Sequence, residues 1–227
     1  FDGRAEAFKI NPAAFNIGFN TFNGEISYSK PQNKPEIMAE LDINKLEIER
    51  FLNENAVSSQ AVVLAPEDNT PAEFLRRPIW SKNKINYDFY KKFNLNGRFT
   101  VQDLSYRNHG FRDASFEAVL TDGSAEVRNF KSLYKNGNLE AGMKLQMSDE
   151  PAVEGNVKLN GADTGLFGLG GKVYALNKGR ADLSAGFKGQ AVSEDAFVSS
   201  LTGDLQFVLT NPTVKGWNLQ AVYEDIV

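Results

Sequence analysis

The chain contains no cysteine and a single histidine. Disulfide frameworks, thiol nucleophiles and Cys/His zinc sites are excluded, while either redox compartment stays open to it. It holds no run of about 18 apolar residues, the length a membrane-spanning helix needs. Its opening, FDGRAEAFKI, has no basic start followed by an apolar stretch, so it does not read as a signal peptide. Phe1-Asp2-Gly3 resembles instead the end of a strand and a turn, and the expectation is a piece of a longer protein. The net charge of −4 is spread without blocks of one sign. Nucleic acid is therefore not an expected partner, because it would need clustered Lys and Arg. The aromatic residues are mainly Phe, with only Trp80 and Trp217, which argues against a carbohydrate platform.

What the chain does have is alternation. In NGNLEAGMKLQMSDEPAVEGNVKL, residues 136–159, Leu139, Ala141, Met143, Leu145 and Met147 fall on one side of an extended chain. After a polar break Val153, Gly155, Val157 and Leu159 continue the pattern. The same period of two predicts strands over Arg4–Ile10, Ala14–Asn20, Glu25–Ser29, Glu36–Ile43, Asn94–Leu104, Arg112–Thr121 and Ala125–Phe130. It predicts further strands over Asn138–Met147, Ala152–Leu159, Lys172–Leu176, Ala181–Gly189 and Asp204–Thr210. Asp122-Gly123 and Asn136-Gly137 supply the positive φ angles of tight hairpin turns, so the sheets are expected to be antiparallel.

Helical signals are few. Asn44 reads as the N-cap of NKLEIERFLNE, with Glu47 three residues on. Ser193 reads as the cap of SEDAFVSSL, whose two acids complement the helix dipole. A third short helix is expected over Ala162–Leu169. Residues 55–79 carry three prolines among small and polar residues and read as a loop or linker. The expected organisation is a first β-rich unit over 1–54, the linker 55–79, and a second β-rich unit over 80–227.

The two units resemble each other. A shift of 116 positions sets Pro35 on Pro151, Ile37 on Val153, Leu41 on Val157, Ile43 on Leu159 and Phe51 on Phe167. Upstream, Asn23-Gly24 mirrors Asn136-Gly137. The ordered set points to an internal repeat.

Chemistry is scarce. His109 lies beside Gly110 with no second histidine or cysteine to join it, and reads as a solvated turn residue. The acids are scattered over polar strand faces rather than paired. GLFGLGGK, residues 165–172, lacks the Gly-Lys-[Ser/Thr] ending of a phosphate loop. Arg76-Arg77 reads as a loop-edge charge, with lipid phosphate as the functional alternative. No metal, cofactor or catalytic residue is expected. The apolar stripe either packs on a second layer or lines an open groove, and the residues alone leave both readings open.

LYKNGNLEAGMKLQM and EPAVEGNVKLNGADTGLF carry a hydrophobic-Tyr-x-Gly-type turn, two alternating strands split by a proline, and a short helix. Together with the strands that follow Trp80 and with GRADLSAGFKGQAVSEDAFVSSLTGDLQFVLTNPTVKGWNL, they resemble the AsmA-like proteins. Asn211-Pro212-Thr213 departs from that family's Asn-Gly turn, so the last strand is expected to shift there. The resemblance implies a mainly β fold of highly curved antiparallel sheets with a few short helices and an open apolar groove. It also implies a periplasmic module of an inner-membrane-anchored protein, the anchor lying outside this chain, related to bridge-like lipid transfer proteins. On that reading phospholipid acyl chains are the partner, in outer-membrane lipid homeostasis. The groove would be lined by Phe116, Ala118, Leu120, Leu139, Met143, Leu145, Met147, Val153, Val157 and Leu159. The alternative is a scaffolding domain that takes an envelope protein's strand at a sheet edge.

Overall fold

The computed structural model of the chain describes residues 7–17, 20–31, 34–48, 80–106, 109–121, 123–167 and 175–215. Ten strands are found among them: β1 (Ala7–Ile17), β2 (Asn20–Ser29), β3 (Glu36–Glu47), β4 (Asn94–Tyr106), β5 (His109–Thr121), β6 (Ser124–Tyr134), β7 (Gly137–Gln146), β8 (Ala152–Asp163), β9 (Ala175–Gln190) and β10 (Thr202–Lys215). They form one sheet and lie in it in chain order. The expectation of separate antiparallel sheets is corrected on two counts. The sheet passes without a break from β3 to β4, and these two strands are parallel, with Glu36 beside Asn94 and Glu47 beside Ser105. A parallel pair cannot be joined by a tight turn. Residues 48–93 therefore bring the chain back from the end of β3 to the end of the sheet where β3 began.

Among the described residues the helices differ from expectation. The one predicted from Ser193 is present as α1 (Glu194–Ser200), with the Ser193 Oγ accepting the Ala196 N–H at 3.0 Å. The one predicted from Asn44 is replaced over its first residues by β3, where Lys45, Leu46 and Glu47 pair with Asp103, Leu104 and Ser105. Strand pairing overrides local helix propensity here. The Asn44 side chain caps no helix; its Oδ1 accepts the Thr21 N–H at 2.6 Å. Residues 49–54 lie outside the described residues. Of the third helix, the described residues hold a single 3-10 turn, Thr164–Phe167, because β8 runs on to Asp163.

Several expected breaks are bulges inside continuous strands. β1 shifts register between Ile10 and Ala13, around Asn11-Pro12, and β10 between Thr210 and Thr213, around Asn211-Pro212. Asp113, Asn129, Gly161 and Asn211, at the bulges of β5, β6, β8 and β10, have φ of 51°, 54°, 66° and 49°. A further shift, between Thr213 and Val214, adds a residue to β9. Six of the ten strands thus carry a bulge, and each bulge raises the twist of its strand. The two prolines sit in the two strands at the rims of the described sheet, where a missing N–H interrupts no inner ladder.

The turns also differ in detail. Lys135 and Asn136, with φ of 50° and 61°, take the left-handed positions of the β6–β7 hairpin. Gly137 is needed for another reason: a Cβ there would lie 2.6 Å from the Ala162 nitrogen. Asn23-Gly24 is no turn but lies inside β2. The shift of 116 positions carries β3 onto β8 at both ends. The strands that follow are parallel in one case and antiparallel in the other.

Candidate functional site

Strand register decides which side chains share a face, because successive residues point to opposite sides. One row across the sheet runs Ile37, Leu95, Leu120, Ala125, Leu145, Val153. The next runs Ile26, Ala39, Gly97, Ala118, Val127, Met143, Gly155, Phe187, Gly203. Leu139, Leu159, Leu183 and Phe207 form a further row. Nine of the ten residues expected to line a groove fall on this apolar face, and the tenth, Met147, follows the end of β7.

Their exposure is graded. Leu120, Leu139, Met147 and Leu159 are buried, Phe116, Ala118, Leu145, Val153 and Val157 are half-buried, and Met143 is 43% exposed. The best-covered cluster is Phe22, Leu41, Ile43, Val101, Leu104 and Ala114, on β2 to β5. Rings supply much of that cover, with Phe99 on Phe116 at 5.2 Å and Phe111 on Tyr134 at 5.0 Å. Towards both rims the same face opens. Phe8, Ile10 and Phe15 on β1 are 38–47% exposed, and Leu205, Phe207 and Leu209 on β10 are 38–69% exposed.

Three glycines of this face, Gly97, Gly155 and Gly189, are covered by rings. A Cβ on Gly97 would lie 2.4 Å from the Phe99 ring, and one on Gly155 would lie 2.7 Å from the Phe187 ring. Phe197, on α1, lies over Gly189 and meets Phe187 edge-on at 6.1 Å. The space beside Gly155 is thus taken by Phe187. A buried polar side chain lies on the face: Ser132, paired with Leu139, is 7% exposed and its hydroxyl has no partner.

The opposite face is polar and its charges alternate across strands. Glu126, Lys144, Glu154 and Lys188 stand side by side on β6 to β9. Arg128 bonds Glu126, and Lys144 Nζ lies 3.6 Å from it. Arg98 and Glu117 pair at 3.3 Å, and Asp42 accepts the Thr100 hydroxyl. Exposed pairs of this kind contribute little energy each, but as a series they oppose any one-residue slip in register. A hollow of about 590 Å³ lies among Glu126, Arg128, Lys144, Glu154, Lys188 and Asp204.

Two features have only a faint sequence signal. Residues 80–93 are tied to α1 and to the chain entering it, five strands from β4 in the sheet. The Ile85 N–H reaches the Val192 carbonyl at 2.9 Å and the Asp195 N–H reaches the Ser81 carbonyl at 3.0 Å. The Tyr87 hydroxyl donates to the Ala191 carbonyl at 2.6 Å, and burial pushes its ionisation up. His109 is exposed at the start of β5, and its Nδ1 lies 2.7 Å from the Tyr134 hydroxyl. No group of three metal-ligating side chains occurs among the described residues.

Among the described residues, one sheet, polar on one side and apolar on the other, with only short helices against it, makes a single-layer β arrangement whose apolar face is covered unevenly. The family model of the AsmA family matches residues 8–226, and the chain belongs to that family. No curated protein and no solved structure matches it. Among the described residues no helix is long and apolar enough to cross a membrane.

Proposed function

We propose that this chain is a non-enzymatic module that shields or conducts phospholipid acyl chains along its apolar face. It would do so in the periplasm, within a protein anchored in the inner membrane, and serve outer-membrane lipid homeostasis and assembly. The carrying observation is the exposure of large apolar side chains along one face of a single sheet, from Phe8 through Met143 to Leu205. A soluble sheet normally buries such a face against a second layer. An acyl chain laid there gains about 0.8 kcal/mol per buried methylene, with no need for specific hydrogen bonds. Membership of the AsmA family supports the envelope setting.

Native mass spectrometry after mild purification tests the reading. Bound phospholipid, and uptake of a fluorescent phospholipid by the delipidated chain, are the expected results. A lipid-free chain that takes up none overturns it. A second reading, strand addition by an envelope protein, is favoured by the position of β1 and β10, each paired on one side only among the described residues. It predicts crosslinking of one protein partner along the rim of β1 or β10.

A further inference from the structure

Residues 80–93 read WSKNKINYDFYKKF. Lys82, Lys84, Lys91 and Lys92 are all exposed, and Asp88 is the one acid in the segment, within a chain of net charge −4. No described carboxylate forms an ion pair with any of the four. Between the lysines stand large apolar tips: Trp80 is 37% exposed, Ile85 46% and Phe89 57%. Phe89 is braced by edge contacts with Tyr90 at 5.6 Å and Phe93 at 5.5 Å. The segment is held in place by its bonds to Val192, Ala191 and Asp195, and the nearby Glu194 carboxylate already accepts the Ser81 N–H at 3.1 Å.

Scattered apolar tips on a surface need no explanation. Apolar tips interleaved with four lysines on one anchored segment are a different matter. Aromatic rings settle at the boundary between headgroups and acyl chains. Lysine stems lie along the same boundary while their ammonium groups meet lipid phosphate. We infer that residues 80–93 form a docking surface for an anionic lipid bilayer. The inference extends the acyl-chain reading above, because docking sets one end of the apolar face against the membrane. An acidic protein would satisfy the lysines but would not call for the projecting Phe89 and Ile85.

Sedimentation of the chain with vesicles tests it, comparing phosphatidylcholine alone with phosphatidylcholine mixed with phosphatidylglycerol. Binding is expected only to the mixed vesicles and weakens as salt is raised. Each Lys→Gln change weakens it about fivefold at low salt, and all four together at least about a hundredfold. Phe89→Ser weakens it at every salt concentration, whereas Lys158→Gln on the polar sheet face leaves it unchanged. Circular dichroism checks that the variants stay folded. Equal binding to neutral vesicles, or a fourfold Lys→Gln variant that binds like the parent, overturns the inference, as does a patch that captures an acidic protein and ignores vesicles. Lipid uptake measured on the same samples separates the two proposals. A chain that takes up lipid without docking sinks this one alone, and a chain that docks without uptake sinks only the acyl-chain reading.

Discussion

β4 and β10 present the same kind of side chain to the same face, and the outcomes are opposite. On β4, Val101 is 1% exposed and Leu104 4%; on β10, Leu205 is 69% exposed and Phe207 48%. β4 has a strand on each side, while β10 has β9 alone among the described residues. Among the described residues no second sheet lies against this one, so cover comes from lateral neighbours leaning over one another. Core and candidate guest surface are then the same face, separated only by position. Two methionines make the contrast within a few residues, with Met143 in β7 43% exposed and Met147, just past its end, 3%.

That contrast can be broken most forcefully at the methionines. Met147→Lys places an unpaired charge in a covered site and is expected to cost about 3–5 kcal/mol, enough to unfold a domain of ordinary stability. Met143→Lys should leave the denaturation midpoint almost unmoved and abolish phospholipid uptake. Urea melts and native mass spectrometry on both variants decide it; equal destabilisation would make the whole face core. Next in size, Ile43→Ala should cost about 2–5 kcal/mol, against no more than about 0.5 kcal/mol for Leu205→Ala.

Gly137→Ala forces a methyl group against the Ala162 backbone, and a loss of about 1–3 kcal/mol is expected from such overpacking. Gly110, where an added Cβ meets nothing within 4 Å, is its control. The smallest effect lies on the polar face. The hydrogen bond from Arg128, aided by the charges of Arg128 and Lys144, holds the Glu126 carboxyl below its ordinary range. A lowered carboxyl favours the folded chain above that range and loses its contribution as pH falls through it. Thermal midpoints of the parent and Arg128→Gln should therefore differ slightly near neutral pH and converge in acid.

The face itself was legible, since an alternation of two is enough to sort side chains onto two sides, and nine of the ten candidate lining residues lie in strands on one of them. Their burial was not legible. Nothing near Met147 in the sequence distinguishes it from Met143, because cover depends on what lies across the sheet. Asn11-Pro12 and Asn211-Pro212 read as ends of strands, for an Asn-Pro pair looks alike in a turn and in a bulge. Asn44 carried every local mark of a helix cap, yet the backbone beyond it found a partner in β4. The Lys and aromatic residues of 80–93 were visible one by one, but their common exposure at one end of the sheet required the fold.

The parallel junction of β3 and β4 also bears on how the sheet assembles. Antiparallel neighbours to either side are joined by short connections, apart from the β8–β9 and β9–β10 links, and can zip as local hairpins in microseconds. β3 and β4 can meet only after residues 48–93 have closed a long loop. Loop closure of that kind slows folding. The seam is therefore expected to be the slow step of refolding, which stopped-flow refolding would check. Shortening the connection by half lowers its closure cost by about 0.6 kcal/mol, roughly a threefold gain in speed if the seam is the slow step.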